Sequence, residues 1–172
     1  RAQIAMLPRT QPRSLDDLTV QVSIVRPGPI VGGAVNPYVR RREARRRDPN
    51  HVIAMPECVR PALEETLGVV LFQDQVIEVA KRMGGFNAGE AETFRRAMSR
   101  KRSAAIMERY RQQFMDGAAD RGVDVDTATT MFENLLGFAE FGFPKSHGAA
   151  FGLLAFHSTW LKHYYPPEYL CA

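Results

Sequence analysis

Hydrophobic positions recur at helical spacing through most of the chain beyond residue 60. Val76, Ile77, Val79, Ala80 and Met83 share one face of a helix predicted from Gln73 to Met83 and ended by Gly84. Ala91, Phe94 and Met98 mark the inward face of the next helix. Asn87 caps it, and Glu90 completes an Asn-x-x-Glu arrangement close to a capping box. Ile106, Tyr110, Phe114 and Ala118, spaced by four, form the stripe of a helix from Ala104 to Arg121 that Gly122 closes. Met131, Phe132, Leu135 and Leu136 point inward on another, with Asp126 as its predicted cap. Ser146 is the predicted cap of a last helix running to about Tyr164, ahead of Pro166-Pro167. Gly148, Ala149, Gly152 and Ala155 keep one side of that helix small enough to pack closely on a neighbour.

Residues 1–50 show little of this pattern. Leu18, Val20, Val22 and Ile24 alternate with polar residues, which predicts a strand over Leu18 to Val25. Arg26-Pro27-Gly28-Pro29 ends any regular element, since proline has no amide proton and glycine tolerates positive φ. Asp48 to Pro61 reads as a connector and Pro61 to Thr66 as a short helix. Val69 to Phe72 is an apolar run that fits a strand or a buried helix entry. Gln73 and Gln75 beside it fit solvent by default, or a bond to a base or to backbone. The fold class expected is mainly α, with a short β or irregular N-terminal segment.

The chain has 172 residues and is 45% hydrophobic, enough for an ordinary core and too apolar for disorder throughout. Lys and Arg exceed Asp and Glu by 23 − 19 = 4, but the positive charge is clustered. Arg40, Arg41, Arg42, Arg45, Arg46 and Arg47 fall within eight residues. Such a run suits nucleic acid, or equally a solvated loop. Cys58 and Cys171 are far apart and in no metal spacing, which fits a reducing, cytoplasmic setting. No signal peptide or membrane span is expected; the most apolar run, Gly148 to Leu161, is too short. The chain begins at Arg1 rather than Met and is expected to be a piece of something longer.

The most informative chemistry lies in Gly84 to Arg102. Arg95 and Arg96 follow Phe94, and adjacent helix residues diverge by about 100°. With Phe94 anchored beneath, two guanidinium groups at the helix edge suit a phosphate chain. Arg100, Lys101 and Arg102 add charge just beyond and are candidate DNA contacts. Lys145, at the start of the last helix, sits against the positive end of the helix dipole. That position is unfavourable by a few tenths to about 1 kcal/mol unless an anion is bound. His147, His157 and His163 do not share a face at ligand spacing, so zinc is not expected. Asp124 and Asp126 suit turn and cap roles better than Mg²⁺. Arg26 on its Pro-Gly-Pro turn fits a phosphate contact, and a structural corner better.

Several motifs, in order, resemble the bacterial C-family DNA polymerases, the polymerase III alpha subunit. They are Arg26-Pro-Gly-Pro29, Thr66-Leu-Gly68, Phe72-Gln-Asp-Gln-Val76, Gly89-Glu-Ala91, Arg95-Arg-Ala-Met98, Phe141-Gly-Phe-Pro-Lys-Ser-His147 and Leu161-Lys-His-Tyr-Tyr-Pro-Pro-Glu-Tyr169. Pro144 stands where replicative members usually have Asn, so Phe-Pro-Lys-Ser-His is most similar to the error-prone branch used in damage-induced mutagenesis and lesion bypass. The Arg-rich run after Pro37-Tyr38 suits the same branch.

The resemblance implies a multi-helix fingers domain over 51–172, with 1–50 leading in from the palm. It implies that Arg95 and Arg96 reach the triphosphate of the incoming deoxynucleotide. It places Lys145 and His147 at the nucleotide or template, and Arg26 on DNA. The family's Mg²⁺ ions sit on palm aspartates in a Pro-Asp-x-Asp-x-Asp motif that this sequence lacks. No cofactor is therefore expected in this segment, and the segment alone is not expected to extend a primer. Primer–template DNA, deoxynucleoside triphosphates, and for the full-length protein a sliding clamp and other replication or mutagenesis proteins are the implied partners. The alternatives are the fingers of a replicative alpha subunit, a freestanding α-helical nucleic-acid-binding module, or a structural helical adaptor. The binding module would show salt-dependent DNA affinity, with log K falling by about 0.9 per neutralised phosphate, and indifference to deoxynucleotides.

Overall fold

The computed structural model describes residues 1–26, 30, 33–99, 104–138 and 143–171. Among them there is no strand. The helices are α1 (Ala2–Thr10), α2 (Leu15–Ile24), α3 (Val35–Arg47), α4 (Arg60–Leu63), α5 (Gln73–Arg82), α6 (Ala88–Ser99), α7 (Ala104–Ala119), α8 (Val125–Phe138), α9 (Lys145–Tyr164) and α10 (Pro166–Cys171). Short 3-10 turns, Glu57–Val59 and Glu64–Thr66, flank α4, so the helix expected over 61–66 is a composite.

The largest departure from expectation is at the N-terminus. The segment predicted as a strand, Leu18 to Val25, lies almost wholly in α2. Ser14 starts this helix by accepting a bond from the Asp17 amide at 3.1 Å, and the Asp17 carboxylate returns one from the Arg13 amide at 2.8 Å. The alternating polar residues are buried rather than exposed. Thr19 Oγ1 donates to the Leu15 carbonyl and Ser23 Oγ to the Thr19 carbonyl. The Gln21 amide donates to the Gln3 carbonyl and side chain on α1, and Thr10 donates to Gln21 Oε1. Because each polar group is satisfied locally, burying it costs little, and the period-two pattern carries no sheet.

Two hydrophobic clusters hold the rest. The larger joins α5 to α8 around Phe86, Phe94, Phe114 and Phe132. Phe94 is fully buried and contacts Phe86 edge-on at 5.4 Å and Phe132 in a stack at 5.8 Å. The smaller cluster packs Val20, Ile24 and Tyr38 from α2 and α3 against Ile53, Leu67, Val69, Leu71 and Phe72. Of the two readings open to Val69 to Phe72, the buried helix entry is the one that forms: the segment is buried and leads directly into α5, with Phe72 in extended backbone at its cap position. Gln75 satisfies it: its side-chain oxygen accepts from the Leu71 and Phe72 amides at 2.8 and 3.1 Å. Its amide nitrogen donates to the Ala62 carbonyl and Thr66 hydroxyl. Gln75 is therefore a buried bracket, not a solvent-facing residue.

The capping box of α6 forms as expected. The Glu90 amide donates to Asn87 Oδ1 at 2.9 Å and the Asn87 amide to Glu90 Oε2 at 2.8 Å. Asn87→Ala is expected to cost about 1 kcal/mol, read as a lower urea midpoint with an unchanged slope. Helix α8 is capped by Asp124 rather than Asp126: the Thr127 amide donates to Asp124 Oδ1 at 2.8 Å. The glycine-rich side of α9 meets α2 through Gly148 and Gly152, both buried. Ala149 and Ala155 of the same set are exposed. This helix starts at Lys145 behind Pro144, which makes no side-chain cap, so Ser146 lies inside the first turn.

Candidate functional site

The arginine pair sits near the end of α6, whose inner side is fixed by Phe94 in the aromatic cluster. Sequence spacing alone points Arg95 and Arg96 in diverging directions. In the structure they converge on one carboxylate. Arg95 donates through Nε to Glu92 Oε2 and through a terminal nitrogen to Glu92 Oε1, both at 2.8 Å. Arg96 donates through Nε to Glu92 Oε1 at 2.7 Å. Arg96 is 68% exposed and Arg95 only 22%, so Glu92 holds one arm largely in solvent and the other partly buried.

These bonds, Arg95's first and then Arg96's, push the Glu92 carboxyl down to about 2. Its folded value lies below its unfolded one. The stabilisation from this contact is thus present above the ordinary Glu range and is lost as pH falls through about 2. Carboxyl titration by NMR should give a Glu92 midpoint near 2. In an R95A/R96A double variant it should return toward about 4.3. A midpoint unmoved by the double substitution would show that the arginines do not hold Glu92.

Lys145 also meets an anion of the protein itself. Its Nζ contacts Glu65 Oε2 at 2.5 Å, tying the start of α9 to the turn after α4. Glu65 thus answers the conflict between the lysine and the positive end of the helix. His147 lies between Phe143 and Phe151, with ring centroids 5.1 and 4.6 Å away.

Several candidates gather around one short segment, Leu71 to Asp74. The Gln73 amide donates to the Phe143 carbonyl at 3.0 Å, which holds the approach to Lys145 and His147 against the start of α5. Asp74, next along, is close enough to Arg95 to favour its charged form. Arg26 donates to the Leu71 carbonyl at 2.7 Å and to the Ser23 carbonyl at 2.7 Å. Its guanidinium lies 4.4 Å from the centre of the Phe143 ring and 5.5 Å from that of Phe138. Burial pushes Arg26 down to about 10, which leaves it charged at neutral pH. Of the two roles open to Arg26, the structural corner is the one these contacts describe. Arg100, Lys101 and Arg102 lie outside the described residues, as does the Pro27-Gly28-Pro29 turn.

The arginine run on α3 divides by function. Arg41 donates to the Leu67 carbonyl at 2.7 Å. Arg42 binds Asp17 at 2.6 Å and the Thr10 carbonyl, and Arg45 faces Glu64 at 3.6 Å. These three fasten α3 to its neighbours, while Arg40, Arg46 and Arg47 are exposed. The sequence reading missed this inward half because a run of like charge shows no periodic face. It also missed Glu92 and Glu65. Glu92 stands three and four residues before the arginines, the spacing at which helix side chains meet. Glu65 is 80 residues from Lys145, and nothing local announces that pair.

No group of three or more His, Cys, Asp or Glu placed to hold a metal occurs among the described residues. Asp124 is engaged with the Thr127 amide, which lowers its carboxyl below the usual range. Among the described residues no helix is long and apolar enough to cross a membrane.

Residues 1–122 match the family model described as the bacterial DNA polymerase III alpha subunit finger domain. The chain is 47% identical over 171 residues to the error-prone DNA polymerase of Azoarcus sp. (strain BH72), covering 99% of this chain and 16% of that protein. It is 44% identical over 173 residues to the error-prone DNA polymerase of Vibrio vulnificus (strain YJ016), covering 100% of this chain and 16% of that protein. With the error-prone DNA polymerase of Bordetella bronchiseptica it shares 47% identity over 172 residues, covering 100% of this chain and 16% of that protein. The chain thus spans 16% of the length of these curated relatives.

Proposed function

The chain belongs to the finger-domain family of the bacterial DNA polymerase III alpha subunit, and from that membership we propose that it forms the nucleotide-facing fingers of an error-prone DNA polymerase. The observation that carries the reading is the convergence of Arg95 and Arg96 on a single carboxylate. An arginine fork that accepts a carboxylate accepts phosphate oxygens in the same geometry. The pair takes the triphosphate of the incoming deoxynucleotide, orients it, and offsets charge that develops as the phosphoryl group is transferred. Lys145 and His147 face the nucleotide or the template beside it. Arg100, Lys101 and Arg102 follow the DNA backbone, and Arg26 supports this surface from the Phe143 corner.

Transfer itself needs groups this segment does not supply. In the full-length enzyme Mg²⁺ would be held by palm aspartates outside these residues and would supply Lewis-acid stabilisation of the charge that develops during transfer. Primer–template DNA and deoxynucleoside triphosphates are the substrates. A sliding clamp and other mutagenesis or replication proteins are partners of the whole protein, which acts in the cytoplasm in damage-induced mutagenesis and lesion bypass.

The test is single-nucleotide primer extension by the full-length polymerase and by the 172-residue chain, on undamaged and abasic templates. The full-length protein is expected to extend both templates and the chain alone neither. A full-length protein that extends no template overturns the polymerase reading. One that stops at the lesion belongs with the replicative alternative, and extension by the isolated chain contradicts the division of labour with the palm.

A further inference from the structure

The two arginines are brought together by a residue to which the nucleotide-binding reading gives no role. Arg95 and Arg96 leave α6 about 100° apart. Glu92 draws both to one side, and its two oxygens accept three of their N–H groups, at 2.8, 2.8 and 2.7 Å. The result is a two-guanidinium anion site filled by an anion of the same helix. Glu92 is partly exposed, so a solute oxygen can approach the place its carboxylate holds. Asp74 adds a second negative charge near Arg95. The pair is therefore locally neutralised before any phosphate arrives.

We propose that Glu92 is a positioning residue that occupies the triphosphate site of the nucleotide-free fingers and competes with the incoming nucleotide for Arg95 and Arg96. The proposal rests on the assignment of those arginines to the triphosphate. A carboxylate offers about four lone-pair sites and a triphosphate more, with a higher charge. Arrival of the nucleotide is then an exchange of acceptors. Phosphate oxygens take the N–H groups, and Glu92 is released into solvent as a free carboxylate. The exchange keeps both guanidinium groups hydrogen-bonded in each state, which avoids stranding a partly buried Arg95. Its cost is affinity, because part of each nucleotide's attraction goes into displacing Glu92. The carboxylate faces phosphates rather than bases, so the same factor applies to all four deoxynucleotides and to correct and mismatched pairs alike.

Glu92→Gln keeps the size and one acceptor of the side chain and removes its charge. In single-turnover incorporation by the full-length polymerase, E92Q is expected to lower the Kd of each deoxynucleotide about threefold to tenfold, with the maximal rate little changed. Inorganic tripolyphosphate, which has no base, should inhibit E92Q more strongly than wild type by a similar factor. Glu92→Asp, whose shorter arm cannot reach both arginines equally, should fall between the two. In an R95A/R96A background E92Q should have no effect on Kd, since it acts only through the arginines. A nucleotide Kd that rises or stays the same in E92Q overturns the proposal, and so does an effect that survives in the R95A/R96A background. If R95A/R96A alone leaves the nucleotide Kd at the wild-type value, the triphosphate assignment fails as well. If R95A/R96A weakens binding and E92Q does not strengthen it, only the competition fails.

Discussion

Gly117→Ala is expected to destabilise the fold by roughly 2 kcal/mol, although alanine is the better helix former. Gly117 lies on the buried side of α7, where the turn between α5 and α6 crosses it backbone to backbone. A Cβ at Gly117 would stand 2.1 Å from the Gly84 carbonyl oxygen and 2.4 Å from its carbon. Neither atom belongs to a side chain that can turn away. The turn is pinned by a bond from the Phe86 amide to the Ala80 carbonyl at 3.2 Å, with Gly85 at φ +72°. Phe86 itself is locked in the aromatic cluster. Overpacking of this kind costs up to about 3 kcal/mol. The gain in helix propensity returns only about 1 kcal/mol, so the clash decides the sign. For a chain of this size a loss of 2 kcal/mol lowers Tm by roughly 4–8 °C. A variant as stable as wild type would show that the two segments are further apart than described.

Replacing Arg95 and Arg96 together by alanine is expected to reduce kcat/KM for deoxynucleotide in the full-length polymerase by at least about a hundredfold. Each charge-assisted hydrogen bond to phosphate is worth about 1.5–3 kcal/mol, and removal of a single preorganised donor commonly costs a factor of about 10² to 10³. The fold should survive. Both side chains lie outside the hydrophobic clusters, and exposed ion pairs contribute at most about 1 kcal/mol. The double variant should therefore keep a Tm close to wild type while losing nucleotide use. Lysine at both positions should restore only part of the activity, because an ammonium group cannot make the planar fork. A normal Michaelis constant with normal turnover would remove the triphosphate assignment.

The helices that were legible in the sequence are those whose inward face is apolar and whose ends carry punctuation. Helix α6 is the clearest: Asn87 and Glu90 announce its start, and Ala91, Phe94 and Met98 its buried side. Helices α5, α7 and α8 follow the same logic. Helices α1 to α3 were illegible because their contacts use small polar residues and arginine. Thr19, Gln21 and Ser23 are buried, and a hydropathy pattern counts them as exposed. Ser14 and Asp17 form a start signal that the alternation of Leu18 to Ile24 obscured. On α3 the arginines that bind carbonyls and acids look, in sequence, the same as those that face water.

The candidate site was legible as a set of cations and illegible as a set of ion pairs. Arg95, Arg96 and Lys145 stand out through position and local charge. Their carboxylate partners do not. The Glu92 contact needed only the spacing of neighbours on a helix, so it was available but unused. The Glu65 contact depends on the tertiary path that brings α9 beside the turn after α4, and no local rule provides that. The outcome matters for the chemistry: Arg95, Arg96 and Lys145 are held by acids of the protein, so any anion that takes these cations must displace those acids.

The most direct test of the central claim separates nucleotide affinity from DNA affinity in the full-length polymerase. Single-turnover incorporation gives the Kd of the incoming deoxynucleotide, and a titration of labelled primer–template gives the Kd of DNA, for wild type and for R95A/R96A. If the pair clasps the triphosphate, the nucleotide Kd rises by about a hundredfold or more, while the DNA Kd changes less than about threefold. An unchanged nucleotide Kd with weakened DNA binding would contradict that claim and assign the two arginines to the DNA backbone instead.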